Sequence, residues 1–185
     1  MASQTMRLDT SRLAELRRAL ILDSSPERAY DDITRLLATA LAVPITMVNL
    51  LDAERDWFKS CVGIQQTQTQ TQTQTQTQSQ SQSPAVTSFC EVFFSSTHDL
   101  IVVEDTLLDP QFQSHPKVSG DPFIRFYAAA RLTVRGQTVG TLCACDTRPR
   151  QLAPEQLDHL RALASAAADL IARRSAPTDR LSAER

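Results

Sequence analysis

The sequence predicts an α+β protein, built on an antiparallel β-sheet that helices cover. Three features lead to this prediction: a long hairpin in the second half of the chain, a shorter hairpin in the first half, and amphipathic helices at both ends. Two antiparallel strands cannot bury an apolar face by themselves, so helices and further strands must cover the long hairpin. With 185 residues and a hydrophobic fraction of 42%, the chain can form one domain with a sizeable core.

The long hairpin spans residues 123–146, and its first strand alternates in character. Ile124 and every second residue after it are apolar, so this set should face a core. Arg125 and Tyr127 belong to the other set, which should face a wetter surface. An Arg-Gly pair supplies the turn. The return strand, 138–145, carries no charge, which is typical of a central strand covered on both faces.

The N-terminal part of the chain predicts two helices followed by the shorter hairpin. Leucines at helical spacing indicate a first helix over residues 8–20. A second helix runs over about 25–42, with Pro26 suited to its first turn. Residues 45–51 then form a buried strand, and residues 56–62 form its antiparallel partner.

A low-complexity tract follows, in which residues 65–83 alternate Thr-Gln and then Ser-Gln. The tract has no charged and no apolar residue, so we predict a solvated, mobile loop. The simplest interpretation is a codon-repeat expansion in a tolerant loop, because each doubling of loop length costs only about 0.6 kcal/mol. Two alternatives stay open, namely amyloid-like strand pairing and a cluster of phosphorylation sites like those of eukaryotic DNA-damage kinases.

Beyond the tract, the sequence predicts several short elements and one long helix. A helical turn at 87–94, a strand at 100–104 and a loop over 115–122 lead into the long hairpin. A proline then opens the last helix, 154–174, whose apolar face again carries leucines at helical spacing. Residues 175–185 are polar and should form a disordered tail.

The composition excludes several classes of protein. The net charge of −2 argues against a nucleic-acid-binding protein. No apolar run approaches the ~20 residues that cross a bilayer, and the N-terminus lacks the apolar segment of a signal peptide, so we expect no membrane association and a cytoplasmic location. The cysteines and histidines lack metal-ligand spacing, and no glycine-rich phosphate loop is present. We therefore expect no metal, no cofactor and no catalytic residues.

The order and spacing of these segments resemble those of a GAF domain. The segments that carry the resemblance are Leu22-Asp23, Pro26-Glu27, Tyr30-Asp31, Pro44-Ile45, Val48 to Asp52, Trp57 to Ser60 with Gly63, Ser88-Phe89-Cys90, Val102 to Thr106, Asp109 to Phe112, Ile124 to Ala128, Gly140 to Cys143, and Asp146 to Arg150. They are similar to bacterial GAF domains attached to diguanylate cyclases and histidine kinases. The resemblance divides the chain into an N-terminal helical extension (1–19), the GAF domain (20–174) with the tract inserted at 65–83, and the tail (175–185).

The resemblance implies a central antiparallel sheet of five or six strands. The N- and C-terminal helices would pack on one face, and loops would roof a small-molecule pocket on the other. Such domains sense a ligand and pass the change through a terminal helix. We therefore expect a non-catalytic sensor in signal transduction, with an unidentified small-molecule ligand and either a signalling partner or a homodimer. The leucine faces of the first and last helices are the predicted dimer contact.

The candidate ligand-binding residues lie on the segments that would surround this pocket. They are Phe89, Cys90, Asp105, Asp109, Phe112, Arg125, Tyr127, Thr141 and Cys143. An arginine beside a tyrosine hydroxyl suits an anionic group. The alternative is that Arg125 pairs with an acid such as Asp105, Asp109 or Asp146, and that the loop aspartates only cap turns.

Cys90 leaves a different class of function open. A cysteine at the start of a short helix can have a lowered pKa and become reactive. One branch of the GAF family reduces free methionine sulfoxide with a cluster of cysteines, of which only Cys90 has a counterpart here. The alternative is a cysteine buried for packing. A third hypothesis is a degenerate GAF domain that binds no ligand and serves as an interaction module.

Overall fold

The computed structural model describes residues 6–64 and 82–175, which fold around one antiparallel sheet. Helices occupy α1 (Thr10–Arg18), α2 (Arg28–Leu41), α3 (Pro116–Ser119) and α4 (Pro154–Arg174). The strands are β1 (Ile45–Leu51), β2 (Arg55–Val62), β3 (Gln82–Pro84), β4 (Leu100–Val103), β5 (Phe126–Val134) and β6 (Gln137–Asp146). The sheet order is β3-β2-β1-β6-β5-β4, which confirms the prediction of an α+β fold with five or six strands.

Strands β5 and β6 form the predicted long hairpin. They pair from Phe126 opposite Asp146 to Val134 opposite Gln137. At the turn, Arg135 and Gly136 have φ values of 48° and 78°, and two successive left-handed residues match the twist of the flanking strands. The turn predicted from the Arg-Gly pair is therefore confirmed.

Helices α1, α2 and α4 pack on one face of the sheet, as the family resemblance implied. The core between them and the sheet contains Leu16, Tyr30, Ile33, Leu37, Leu41, Val48, Leu50, Trp57, Phe126, Leu132, Val134, Leu142, Leu160, Ala164 and Ile171. Leu16 of α1 is fully buried in this core. The N-terminal segment predicted as an extension is thus part of the packed domain over its described residues.

A second core lies on the opposite face, under a short 3-10 helix, Phe89–Phe94, which we call the roof helix. Tyr127 and Ala129 are 1% and 0% exposed in this core, so the prediction of a wetter face is wrong for the first half of β5, whereas Thr133 near the end of the strand is exposed. The roof helix covers that face of the sheet. The sequence of β5 alone does not indicate that another segment packs there. Ile124 also belongs to the second core rather than to the helix-side core, because β5 begins only at Phe126 and strand alternation does not apply before it.

The structure corrects two predictions about short elements. Gln82 and Ser83, predicted within the mobile tract, belong to β3 and pair with Trp57 and Asp56 of β2. Backbone groups make these bonds, so a side-chain pattern of glutamine and serine does not prevent them. The loop predicted over 115–122 contains the helical turn α3. The remaining tract (65–81), residues 1–5 and the tail from 176 lie outside the described residues.

The leucines predicted as a dimer contact are largely used inside the domain. Leu13, Leu16 and Leu160 are buried against its own core. Leu163 and Leu170 are partly buried and pack on the same core, whereas Leu20 is exposed. Dimerisation therefore remains a prediction, with less free leucine surface than the sequence indicated. Within residues 6–64 and 82–175, no helix is both long and apolar enough to cross a membrane.

Candidate functional site

The candidate site is a buried cluster of thiols and polar groups between the roof helix and the sheet. The roof helix begins at Phe89 because Ser88 caps it, its hydroxyl accepting a hydrogen bond from the Cys90 backbone N–H at 3.2 Å. This start directs Cys90 down onto the sheet, where it is 3% exposed. The cluster therefore joins one irregular element to the most central strands.

Four groups converge on the sulfur of Cys90. The hydroxyls of Thr141 on β6 and Tyr127 on β5 donate to it at 3.0 and 3.3 Å. The side-chain amide of Asn49 on β1 donates at 3.4 Å, and Cys143 Sγ lies at 3.4 Å. Because three strands each supply a donor, only the assembled sheet creates this environment.

These contacts separate the acidities of the two thiols. The hydrogen bond from Cys143 lowers the pKa of Cys90, and those from Thr141 and Tyr127 add to it, against the opposing effects of burial and of the Asp56 charge. Burial, followed by the hydrogen bond to Cys90, raises the pKa of Cys143 well above its usual value. Burial likewise raises the pKa of Tyr127, which keeps its hydroxyl protonated as a donor. Cys90 is therefore the thiol of the pair that loses its proton first.

A buried carboxylate extends the cluster towards the N-terminal segment. Asp56 Oδ2 accepts hydrogen bonds from the Asn49 amide at 2.9 Å and from the Ser88 hydroxyl. Asp56 Oδ1 accepts from Arg7 at 2.7 Å, and Arg7 also donates to Glu91 of the roof helix at 2.8 Å. Burial lowers the pKa of Arg7, but hydrogen bonds and charge from Asp56 and Glu91 outweigh it and leave the pKa raised. Arg7 thus ties the site to both the roof and the N-terminus.

Sequence reasoning missed this polar part of the site. Asn49 did carry a signal, because it is an amide inside an otherwise apolar strand run. The sequence around Asp56 and Ser88 indicates only a strand and a family motif. Arg7 carried no signal at all, since it lies 49 residues from Asp56 and its role depends on where α1 packs.

An aromatic group fills the space beside the thiols. The ring centroids of Phe89 lie 5.5 Å from Phe112, 5.2 Å from Tyr127 and 4.0 Å from His115. Burial, and then the charge of Lys117, lowers the pKa of His115. The residues expected to line a ligand pocket here instead pack against one another.

The structure brings most of the predicted ligand-binding residues together. The residues that meet between the roof helix and the sheet are Phe89 and Cys90 of the roof helix itself, with Phe112, Tyr127, Thr141 and Cys143. Arg125 lies apart from them, in a bidentate pair with Asp105 at 2.9 and 2.7 Å, which lowers the pKa of Asp105. Asp109 caps a turn by accepting from the Gln111 N–H at 2.8 Å. The alternatives of internal pairing and turn capping therefore describe these three residues in this structure.

A cavity of about 540 Å³ opens next to the cluster, between the end of the roof helix and β4. It is lined by Val92, Ser95, Ser96, Thr97, His98, Leu100, Ile101, Val102 and Gln111. None of the predicted ligand-binding residues lines it. Across residues 6–64 and 82–175, no group of three or more His, Cys, Asp or Glu side chains is arranged to hold a metal ion.

The sequence profile of the GAF domain family matches residues 25–173. This chain belongs to the GAF domain family. The resemblance seen in the sequence is confirmed, and with it the assignment to a family of signalling and sensor domains.

Among known proteins, the chain is similar to a cyclic di-GMP phosphodiesterase of Pseudomonas aeruginosa. The two are 30% identical over 141 residues, which make up 76% of this chain and 22% of that protein. The chain thus spans about a fifth of the length of this relative. The remainder of that protein has no counterpart in the match.

Two solved structures illustrate the range of proteins that share the fold. The GAF domain of a phosphoenolpyruvate-protein phosphotransferase from Coxiella burnetii superimposes with a TM-score of 0.61 at 16% identity, covering 88% of this chain and 93% of that one. A type II free methionine-R-sulfoxide reductase from Thermoplasma acidophilum superimposes with a TM-score of 0.57 at 11% identity, covering 79% and 94%. At these identities the likeness establishes the fold alone.

Proposed function

We propose that this GAF domain is the regulatory module of a signalling protein, and that it binds a small molecule beside its roof helix without catalysing a reaction. The observation that carries the proposal is the set of contacts by which Arg7 and Arg12 join the roof helix to the N-terminal segment. A ligand that displaces the roof changes these contacts. The change then reaches the terminal helices, through which the module acts on a partner or on a second copy of itself.

The cavity beside the roof helix supplies the binding site in this proposal. Its volume of about 540 Å³ lies within the range of small-molecule sites, roughly 300–1,000 Å³. Val92, Ile101 and Val102 give it an apolar wall, while serine, threonine, histidine and glutamine side chains give it a polar rim. Because Val92 lies on the roof helix and Ser95 ends it, a bound molecule would press directly on that helix.

Two arginines connect the roof helix to the N-terminal segment. Arg7 donates to Glu91, and the guanidinium of Arg12 lies 5.1 Å from the centroid of the Phe94 ring. Arg12 also donates to the Leu51 carbonyl at 2.6 Å, at the end of the central strand β1. Movement of the roof helix therefore changes the contacts of α1 with the sheet.

A second set of contacts continues from α1 to the C-terminal end of α4. Glu15 of α1 pairs with Arg135 of the hairpin turn at 2.8 Å, and Arg135 donates to the Ser175 carbonyl at 3.3 Å. In the segment that connects α1 to α2, the Leu20 carbonyl and Glu27 accept hydrogen bonds from Arg174 of α4 at 2.9 and 2.6 Å. These polar links give a ligand-dependent change a physical route to both termini.

The burial of the thiols supports a regulatory role over a reductase. Cys90 of the roof helix and Cys143 of the sheet are 3% and 1% exposed, and neither lines the cavity. A substrate bound in the cavity would not meet a sulfur atom. The similarity to a methionine sulfoxide reductase stops at the fold, and the match to the phosphodiesterase covers only 22% of that protein.

The proposal is tested by a thermal-shift screen of the full chain against cyclic nucleotides including cyclic di-GMP, amino acids and small metabolic acids. A ligand at about a hundredfold its Kd adds about 2.7 kcal/mol of stability. That gain raises the melting temperature by several degrees in a domain of this size. No stabilisation by any of these classes would favour the ligand-free interaction module instead.

Three variants locate the site. Thr97→Trp places a large ring at the exposed rim of the cavity, and Thr133→Trp makes the same change at an exposed position of β5 as a control. We expect stabilisation by the ligand to be lost in Thr97→Trp and kept in Thr133→Trp. If Arg125→Ala loses it while Thr97→Trp keeps it, the ligand binds at the Arg125 and Asp105 pair and the cavity assignment is wrong.

A further inference from the structure

The two sulfur atoms under the roof helix are close enough to react with each other. Cys90 Sγ lies 3.4 Å from Cys143 Sγ, and a disulfide bond is about 2.05 Å long. Cys90 sits on the short roof helix, whereas Cys143 lies on β6, held between β1 and β5. The approach of the two sulfurs therefore moves the roof helix rather than the sheet.

We propose that Cys90 and Cys143 are a redox-modification site, at which hydrogen peroxide forms an intramolecular disulfide. This activity is independent of the proposed ligand and of the cavity. The thiol cluster takes no part in the small-molecule binding proposed above.

The surroundings of Cys90 select it as the thiol that attacks. The hydroxyls of Thr141 and Tyr127 and the amide of Asn49 all donate to its sulfur. Donors of this kind stabilise a thiolate, which is the nucleophilic form of cysteine. Thr141 also lies 3.0 Å from the sulfur of Cys143, but Tyr127 and Asn49 donate to Cys90, so Cys143 is the thiol that resolves the intermediate.

The chemistry balances with peroxide as the oxidant. The Cys90 thiolate attacks one peroxide oxygen, the O–O bond breaks, and the product is a sulfenic acid and a hydroxide that takes up a proton to form water. The Cys143 sulfur then attacks Cys90 Sγ and loses its proton. The S–S bond forms as the S–O bond breaks, and the hydroxyl leaves as a second water. The two sulfurs lose two electrons in total, and peroxide is reduced to two waters.

Burial restricts the oxidant to a small molecule. Cys90 and Cys143 are 3% and 1% exposed, so a bulky disulfide or sulfoxide cannot reach them while the roof is closed. Hydrogen peroxide is close to water in size and enters through local opening of the roof. The site is therefore predicted to discriminate between oxidants by size.

The other cysteines provide internal controls. Cys145 lies two residues after Cys143 on the same strand and in the same core, and burial raises the pKa of both thiols. Cys61 is partly exposed on β2. If reactivity followed exposure, Cys61 would be oxidised first. If it followed burial in the second core, Cys145 would react like Cys143.

The test treats the fully reduced full chain with graded hydrogen peroxide, alkylates the remaining thiols, and maps the peptides without reduction. The expected product is a monomer that has lost two hydrogen atoms, with one peptide that joins Cys90 to Cys143 and that dithiothreitol separates. Cys145→Ser and Cys61→Ser should give the same product. Cys90→Ser and Cys143→Ala should not, and circular dichroism establishes that each is folded.

The disulfide map of the peroxide-treated wild-type protein tests the proposal even if a variant fails to fold. A disulfide that involves Cys61 or Cys145 would overturn the proposal, as would crosslinked dimers. A stable dimedone adduct on Cys90 with Cys143 still alkylated would also overturn it, because the sulfenic acid would then form without being resolved. Complete alkylation of all four cysteines after peroxide treatment would show that the buried pair is inert.

Discussion

Arg7 and Asp56 form an ion pair of 2.7 Å in which their side chains are 3% and 4% exposed. Both charged groups are therefore desolvated, and each is compensated by the charge of the other. Asp56 also accepts hydrogen bonds from Asn49 and Ser88, so the pair anchors the polar part of the candidate site. The N-terminal segment is thus fastened to the sheet at the point where the roof helix begins.

Removing one partner of this pair is expected to destabilise the domain strongly. Arg7→Met keeps much of the side-chain volume but leaves a buried carboxylate without its cation, which should lower the free energy of unfolding by about 3–5 kcal/mol. Arg18→Met is the matched control, because the side chain of Arg18 is 60% exposed and its pair with Glu15 should contribute less than about 1 kcal/mol. Urea denaturation measures both.

A double variant separates charge from packing at this pair. Asp56→Asn removes the uncompensated charge, so Arg7→Met combined with Asp56→Asn should be more stable than Arg7→Met alone. If the losses of unfolding free energy in Arg7→Met and in Asp56→Asn simply add up in the double variant, the two residues are not energetically coupled.

Gly140 is expected to tolerate no side chain, because the β1 backbone passes too close. A Cβ at this position would lie 2.2 Å from the Asn49 carbonyl oxygen, so Gly140→Ala should lower the unfolding free energy by about 3 kcal/mol or more. Gly136→Ala is the control. A Cβ there meets nothing within 4 Å, and only the φ of 78° resists it, at about 1–2 kcal/mol. Equal losses would contradict the close approach at Asn49.

The ion pair between Arg7 and Glu91 of the roof helix should limit the rate at which peroxide reaches the thiols. Glu91→Gln keeps the size of the side chain but removes the charge that faces Arg7 at 2.8 Å. A loss of about 1 kcal/mol in roof closure would speed disulfide formation about fivefold. Glu155→Gln, at an exposed position in the first turn of α4, should leave the rate unchanged. A Glu91→Gln rate equal to that of the wild type would show that this contact does not hold the roof closed.

His115 is expected to make the domain less stable in mild acid. Burial, then Lys117, lowers its pKa in the folded state, so between the folded and unfolded pKa values the unfolded chain binds more protons. Stability should be fully present above about pH 6.5, the ordinary histidine pKa, and should fall as the pH drops through the folded value. His115→Asn keeps an acceptor for the Lys117 N–H but does not titrate.

The measurement is the unfolding free energy by urea from about pH 7.5 to about pH 5. The loss on acidification should be smaller in His115→Asn than in the wild type. Parallel curves would mean that His115 is protonated as easily in the folded as in the unfolded chain.

The elements that could be predicted from the sequence are those whose signal is local. The β5–β6 hairpin follows from side-chain alternation and an Arg-Gly turn, and helix α4 from leucines at helical spacing after a proline. The family resemblance also pointed to residues that gather between the roof helix and the sheet, such as Cys90 and Cys143. Periodicity succeeds here because it depends on backbone geometry within one element.

The segments that cover each surface of the sheet, and the charges that pair, could not be predicted from local patterns. Alternation placed Tyr127 on a separate face from Phe126 but did not reveal that the roof helix buries that face as well. The pairing of Arg7 with Asp56, and of Arg125 with Asp105, depends on segments brought together from distant parts of the chain. The reason is physical: a local pattern reports which side chains share a face, whereas burial and charge compensation depend on whichever other segment packs against that face.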